Sequence, residues 1–212
     1  MDDLLSFVRN IFPTCKVLLL YYSGSRGYGF NDDTSDIDIT AVLDGFKGNM
    51  HVQLGEIDIF AFSKEDYIKR QFFDETIIDY YKSAADDILV CKDKVIYLDN
   101  DFEQDYQNLK QFDHKKFLIN QLDALLNYTK MRFGIKKNFK SHYHIFRMRG
   151  MVDHYDKTDK YELVVEAPWF TKMMDFKHNW ENEKSKPYIK EIKEQVDYLE
   201  NYRNELIKCG LG

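Results

Sequence analysis

Cysteine is scarce in this chain, and its three copies, Cys15, Cys91 and Cys209, lie far apart. An odd, scattered set excludes a disulfide framework and the paired spacing of a structural zinc site. Cys15 precedes a buried strand and reads as structural, and neither Cys91 nor Cys209 has a visible catalytic partner. There are only three prolines, and no low-complexity tract, internal repeat or flexible linker. No apolar run exceeds strand length, so no membrane-spanning segment is expected. Positive charge is not in excess: 30 Lys and Arg face 36 Asp and Glu, a formal net charge of -6. That balance gives no general electrostatic pull toward nucleic acid, while local basic patches can still bind phosphate. Met1-Asp2-Asp3 is acidic and lacks the basic start of a secretory leader, so a cytoplasmic protein is expected.

What is abundant is apolar and aromatic. Hydrophobic residues make up 44% of the 212, with 15 Tyr and 16 Phe, enough for a sizeable core in one domain or two modest ones. Residues 4 to 12 have the pattern of a short amphipathic helix stopped by Pro13. Cys15 to Tyr22 reads as a buried strand, and residues 23 to 34 as turn chemistry. Asp36 to Leu43 and Val52 to Phe62 read as two further strands. Ser63, with Asp66 three residues on, reads as the cap of a helix running from Lys64 toward Tyr80. Ile88 to Leu98 is a weaker extended segment. After Asp99-Asn100 the period becomes helical: Phe102, Tyr106, Leu109 and Phe112, then Phe117 to Leu126, then His142 to Tyr155. Residues 156 to 187 have no clear pattern. Pro187 suits the first turn of a last helix lined by Ile189, Ile192, Val196, Leu199 and Leu206. The expected organisation is α+β: a small mixed-sheet core over residues 1–99 and a helical region over residues 100–212.

The chemistry is concentrated between Gly24 and Asp58. The turn Gly24-Ser25-Arg26-Gly27-Tyr28-Gly29 follows the first strand. Asp36 and Asp38 flank Ile37, so strand alternation sends both carboxylates to one face. Two such carboxylates repel unless a positive charge lies between them. A divalent metal supplies that charge, and Asp58, in Glu56-Ile57-Asp58-Ile59-Phe60, supplies a third oxygen ligand from a neighbouring strand. Backbone amides of a glycine turn can cradle phosphate, Ser25 adds a hydroxyl donor, and Arg26 a fixed fork of donors. Taken alone the turn has an ordinary reading as loop geometry, and each aspartate one as a solvated strand end. The turn lacks the Gly-Lys-Ser/Thr ending of an ATPase phosphate loop and is not a dinucleotide fingerprint. In the helical half, Lys140, His144 and Arg147 fall at offsets of four and three, one face of a helix. Spacing leaves two readings of them: a solvated basic face, or contacts to an anionic ligand. Phe139, Tyr143 and Phe146, with Tyr80 and Tyr81, read as packing residues before base-stacking ones.

Gly24-Ser25, Asp36-x-Asp38 and Asp58 together resemble the signature of the nucleotidyltransferase superfamily that includes DNA polymerase beta. The longer run from Gly24 through Asp38, continued through Phe60, resembles a bacterial and phage branch of predicted nucleotidyltransferases. In that branch the place of Gly27 is often Ala, and Lys140-x-x-x-His144-x-x-Arg147 resembles its helical motif. The resemblance covers residues 15 to 98 most closely. It implies a nucleotidyltransferase core that binds a nucleoside triphosphate with Mg²⁺, Mn²⁺ being an alternative. Gly24 and Ser25 would hold the β- and γ-phosphates, with Arg26 beside them. Asp36 and Asp38 would carry both ions and Asp58 would join at the catalytic one and receive the acceptor's proton. Lys140, His144 and Arg147 would contact triphosphate, base or acceptor. The implied reaction is transfer of a nucleoside monophosphate to a hydroxyl on RNA, protein or a small molecule. Two alternatives stay open: a nucleotide-binding regulator or antitoxin of the same fold, and an RNA-end or tRNA nucleotidyltransferase. An oligomer is compatible with all three.

Overall fold

The computed structural model describes residues 2–33, 35–71, 89, 94–132, 142–180 and 186–209. The chain divides into two units, Met1–Gln111 and Phe112–Gly212. The architecture is α+β, a mixed sheet with helices followed by a helical stretch.

The first unit is built on five strands: β1 (Lys16–Tyr22), β2 (Ile37–Asp44), β3 (Asn49–Leu54), β4 (Ile57–Ser63) and β5 (Val95–Leu98). Their order in the sheet is β3-β4-β2-β1-β5. β2 and β4 run parallel, and the other neighbours are antiparallel. Val52 to Phe62, expected as one strand, is instead two. Gly55, with φ of 65°, turns the chain between Leu54 and Ile57, which pair directly. A two-residue hairpin needs a positive φ there, and glycine supplies it without steric cost.

The sheet has two distinct faces. On one, Val17, Leu20, Ile39, Ala41, Leu43, Ile59 and Ala61 form a buried core with Val8 and Phe12. Val8 belongs to α1 (Asp2–Ile11), whose apolar residues recur at helical spacing and which ends before Pro13. Val17 and Leu20 share this face although three residues apart, because the β1–β2 register shifts between Val17 and Leu19. On the other face Tyr21 and Phe62 meet Tyr67, with ring centroids 6.4 and 6.3 Å away. Tyr67 lies on α3 (Lys64–Gln71) and also meets Phe102 of α4 (Asn100–Leu109) at 6.4 Å. The expected cap of α3 is present, since Ser63 Oγ accepts the Asp66 amide at 3.1 Å and donates to its carboxylate at 2.7 Å. Its continuation toward Tyr80 lies outside the described residues. At α4 the Asp99 carboxylate accepts the Asp101 amide at 2.9 Å. Lys16 ties β1 to this helix start through Asp99 and Asp101, at 2.8 and 2.7 Å.

The second unit consists of α5 (His114–Arg132), α6 (Tyr143–Thr158), α7 (Trp169–Asn179) and α8 (Lys186–Lys208). α7 occupies the stretch whose sequence showed no pattern. Phe146, Phe176 and Tyr188 form an edge-to-face triangle with centroids 5.9 to 6.2 Å apart. Gly150 lets α6 approach the segment before α7, since a Cβ there would fall 2.7 Å from Val165 Cγ1. Pro187 lies in the first turn of α8 as expected. Among the described residues no helix is long and apolar enough to cross a membrane.

Candidate functional site

The three aspartates reach the sheet by different routes. Asp38 and Asp58 are the second residues of parallel strands β2 and β4 and are direct partners in the ladder. Partners in a parallel pair share a face, so alternation and pairing put these carboxylates on one side. Asp36 is exposed in the segment just before β2. Ser23 continues the β1–β2 ladder, its amide donating to the Asp38 carbonyl at 2.9 Å. The side chains of Ser23, Asp38 and Asp58 therefore form a row across the face opposite the α1 core.

Gly24 closes over this row. It opens the four-residue helix α2 (Gly24–Gly27) with φ of 55°. A Cβ at Gly24 would lie 2.7 Å from Asp38 Cγ and 3.0 Å from its Cβ. Glycine is needed here twice over, for the left-handed backbone and for close approach to the carboxylate. Gly27 is confined in another way, because a Cβ would stand 2.5 Å from the Tyr22 carbonyl oxygen. An alanine at this position would force the turn to shift. The Ser25 carbonyl accepts the Phe30 amide at 2.8 Å, folding the turn back on itself. Arg26 reaches forward, donating from Nε to the Asp36 carbonyl at 3.2 Å and from Nη2 to the Ser35 carbonyl at 3.1 Å. Its guanidinium thus straps the Gly-Ser turn to the segment that carries Asp36.

Burial raises the Asp38 carboxyl above the usual carboxylate range, and the charges of Asp58 and Asp36 push it the same way. His51 and Arg26 oppose this rise. The imidazole of His51 touches Asp58, Nε2 lying 2.7 Å from Oδ1. His51 has no counterpart among the residues expected from sequence, because its strand β3 was not separated from β4. The signal was available: Met50, Val52 and Leu54 alternate up to Gly55, a hairpin pattern.

The donor chemistry of this row is that of a hard divalent cation. Asp36, Asp38 and Asp58 are hard oxygen donors of the kind Mg²⁺ and Mn²⁺ take. Among the described residues no group of three His, Cys, Asp or Glu side chains is drawn together into a finished metal cage. Two features still fit a bound cation. Asp38 is held next to two like charges, and the buried Ser23 hydroxyl, 5% exposed, has no hydrogen-bond partner among the described residues. Since the ladder already sets Asp38 opposite Asp58, gathering their oxygens requires side-chain rotation rather than a change of fold.

The basic row of the helical half lies in the second unit. Lys140 lies outside the described residues. His144 and Arg147 are on α6, and Arg147 is 4% exposed, so the reading as a solvated face does not hold. Burial, then the charges of Arg147, His142 and Lys177, hold the His144 imidazole well below its ordinary pKa. The cluster therefore includes two residues that sequence reasoning missed. His142 is 2% exposed, and Lys177, 8% exposed, comes from α7. Arg147 and Lys177 are the charged members of this cluster, and such charges are chemically suited to an anion. No protein-family model matches the chain, and no curated protein matches it.

Proposed function

We propose that this chain is a metal-dependent nucleotidyltransferase with the superfamily core named above, taking a nucleoside triphosphate and an acceptor hydroxyl. The observation that carries the reading is the row formed by Asp38 and Asp58 in parallel register beneath Gly24, with Asp36 strapped alongside by Arg26. Asp36 and Asp38 would hold Mg²⁺ together with the triphosphate, and Asp58 would complete the set. When bound, the cation neutralises phosphate charge and lowers the pKa of an acceptor hydroxyl.

The chain's own residues do the rest. The amides at the start of α2 have no partner within the helix and, with Ser25 Oγ, are donors suited to the terminal phosphates. Arg26 spends its Nε and Nη2 on the Ser35 and Asp36 carbonyls, so its main work is to hold the turn and Asp36 in register. Asp58 takes the acceptor's proton as the acceptor oxygen attacks the α-phosphorus. The bond between the α-phosphorus and the bridging oxygen breaks, and pyrophosphate leaves with that electron pair. Within the helical unit itself, Arg147 and Lys177 are the charges suited to an anionic ligand.

Each α-³²P nucleoside triphosphate, incubated with the protein, Mg²⁺ and cell extract, tests the reading. Covalent label on RNA, protein or a small molecule, lost in Asp58→Asn, supports it and identifies the acceptor class. Label on nothing, with any triphosphate and either metal, overturns it. Triphosphate binding without transfer would point to a nucleotide-binding regulator.

A further inference from the structure

Asp58 is held from the side away from Asp38 by an edge-strand histidine. His51 stands opposite Phe60 in the β3–β4 ladder, while Gln53 stands opposite Asp58. Alternation puts His51, Phe60 and Asp58 on one face. The His51 ring lies flat on Phe60, with centroids 4.6 Å apart and planes 3° apart. From there Nε2 reaches Asp58 Oδ1 at 2.7 Å. The imidazole is thus fixed by its stacked face and again by its bonded nitrogen, and Asp58 Oδ2 is left for other partners.

We propose that His51 is the positioning residue for Asp58, holding Oδ1 so that Oδ2 is presented to the acceptor and its metal. This rests on the reading of Asp58 as the carboxylate that activates the acceptor. A surface pair with no such role is worth about 0–1 kcal/mol and leaves turnover alone. The exposure is unequal, 43% for the His51 side chain and 14% for Asp58. The more accessible residue braces the less accessible one, as outer partners of ligating carboxylates do.

Two substitutions separate the ring from the hydrogen bond. His51→Phe keeps a ring on Phe60 and removes the nitrogen. His51→Gln removes the ring and keeps a donor of similar reach. Losing a partner of this kind costs roughly 10- to 100-fold. His51→Phe is therefore expected to lower kcat by about that factor, with the triphosphate KM within about twofold and the thermal midpoint nearly unchanged. His51→Gln is expected to recover most of the loss. Mn²⁺ titration without triphosphate, followed by electron paramagnetic resonance, is expected to show weaker binding in His51→Phe than in wild type. A ¹⁵N-histidine spectrum reads the contact without turnover, and the His51 Nε2 signal is expected to move in Asp58→Asn. Normal kcat and normal Mn²⁺ affinity in His51→Phe overturn the proposal while leaving Asp58's role intact. If wild type transfers nothing, the reaction reading falls. The Nε2 signal and the Mn²⁺ titration then still decide whether His51 positions Asp58, and no change in either overturns the proposal.

Discussion

Replacing Gly24 by Ala perturbs the site at its tightest point. The new Cβ would lie 2.7 Å from Asp38 Cγ. Two costs follow. An L-residue at φ of 55° pays about 1–2 kcal/mol for the left-handed conformation. Moving Asp38 off its rotamer adds about 0.5–1.5 kcal/mol. The total is roughly 1.5–3.5 kcal/mol. Gly55 is the control, since its φ of 65° brings the first cost but nothing lies within 4 Å of its would-be Cβ. The entropy that alanine removes from the unfolded chain is similar at both sites and cancels in the comparison. Gly24→Ala should therefore destabilise the first unit by about 0.5–1.5 kcal/mol more than Gly55→Ala. In an Asp38→Ala background most of that excess should vanish, since only the Asp38 Cβ, 3.0 Å away, remains. Both tryptophans, Trp169 and Trp180, lie in the helical unit. The assay must therefore be amide hydrogen exchange in β2 and β4 rather than fluorescence. Equal costs at Gly24 and Gly55, or an excess that survives the Asp38 deletion, would refute the packing of Gly24 on Asp38.

Three further outcomes follow from the same geometry. Asp38→Asn removes a partly buried carboxylate held beside two like charges, so the metal-free first unit should gain up to about 1 kcal/mol, discounted for solvent screening, by hydrogen exchange; a loss of stability would contradict the repulsion. His144 has a folded pKa well below 6.5, so below that pH the unfolded chain takes the proton first. Stability of the helical unit, followed by tryptophan fluorescence in urea, should then fall as pH drops from about 6.5, less so in His144→Gln, and identical pH dependence in the two proteins would remove the assignment. Arg147→Ala, at a side chain only 4% exposed, should cost about 1–3 kcal/mol in the same urea assay, where a solvated-face residue would be neutral.

Much of the sheet unit was legible because its signals are local. Pro13 stops α1, Ser63 caps α3, and the alternation of Asp36, Ile37, Asp38 and Ile39 separates a charged face from a core face. Asp58 on a strand neighbouring Asp38 was legible too, because Asp38 and Asp58 each alternate with Ile, although Asp58 was expected inside one long strand, Val52 to Phe62, rather than at the start of β4. The β3–β4 hairpin was not, since Gly55-Glu56 is a weak break in an otherwise extended run. His51 was lost with it. Burial of Arg147 was hidden for a different reason. Spacing leaves a Lys, His and Arg row open between a solvated face and ligand contacts, and the burial of Arg147 depends on tertiary packing that also brings in Lys177 from α7, whose own stretch carries no clear period.

The central claim is that the three carboxylates hold a divalent cation together with a triphosphate. Calorimetric titration of Mg²⁺ with a non-hydrolysable triphosphate into wild type, Asp36→Asn and Asp38→Asn measures this directly. Metal-dependent binding to wild type is expected, with at least tenfold weaker binding to each variant, equivalent to about 1.4 kcal/mol. Unchanged affinity in both variants, with the fold intact by circular dichroism, would contradict it.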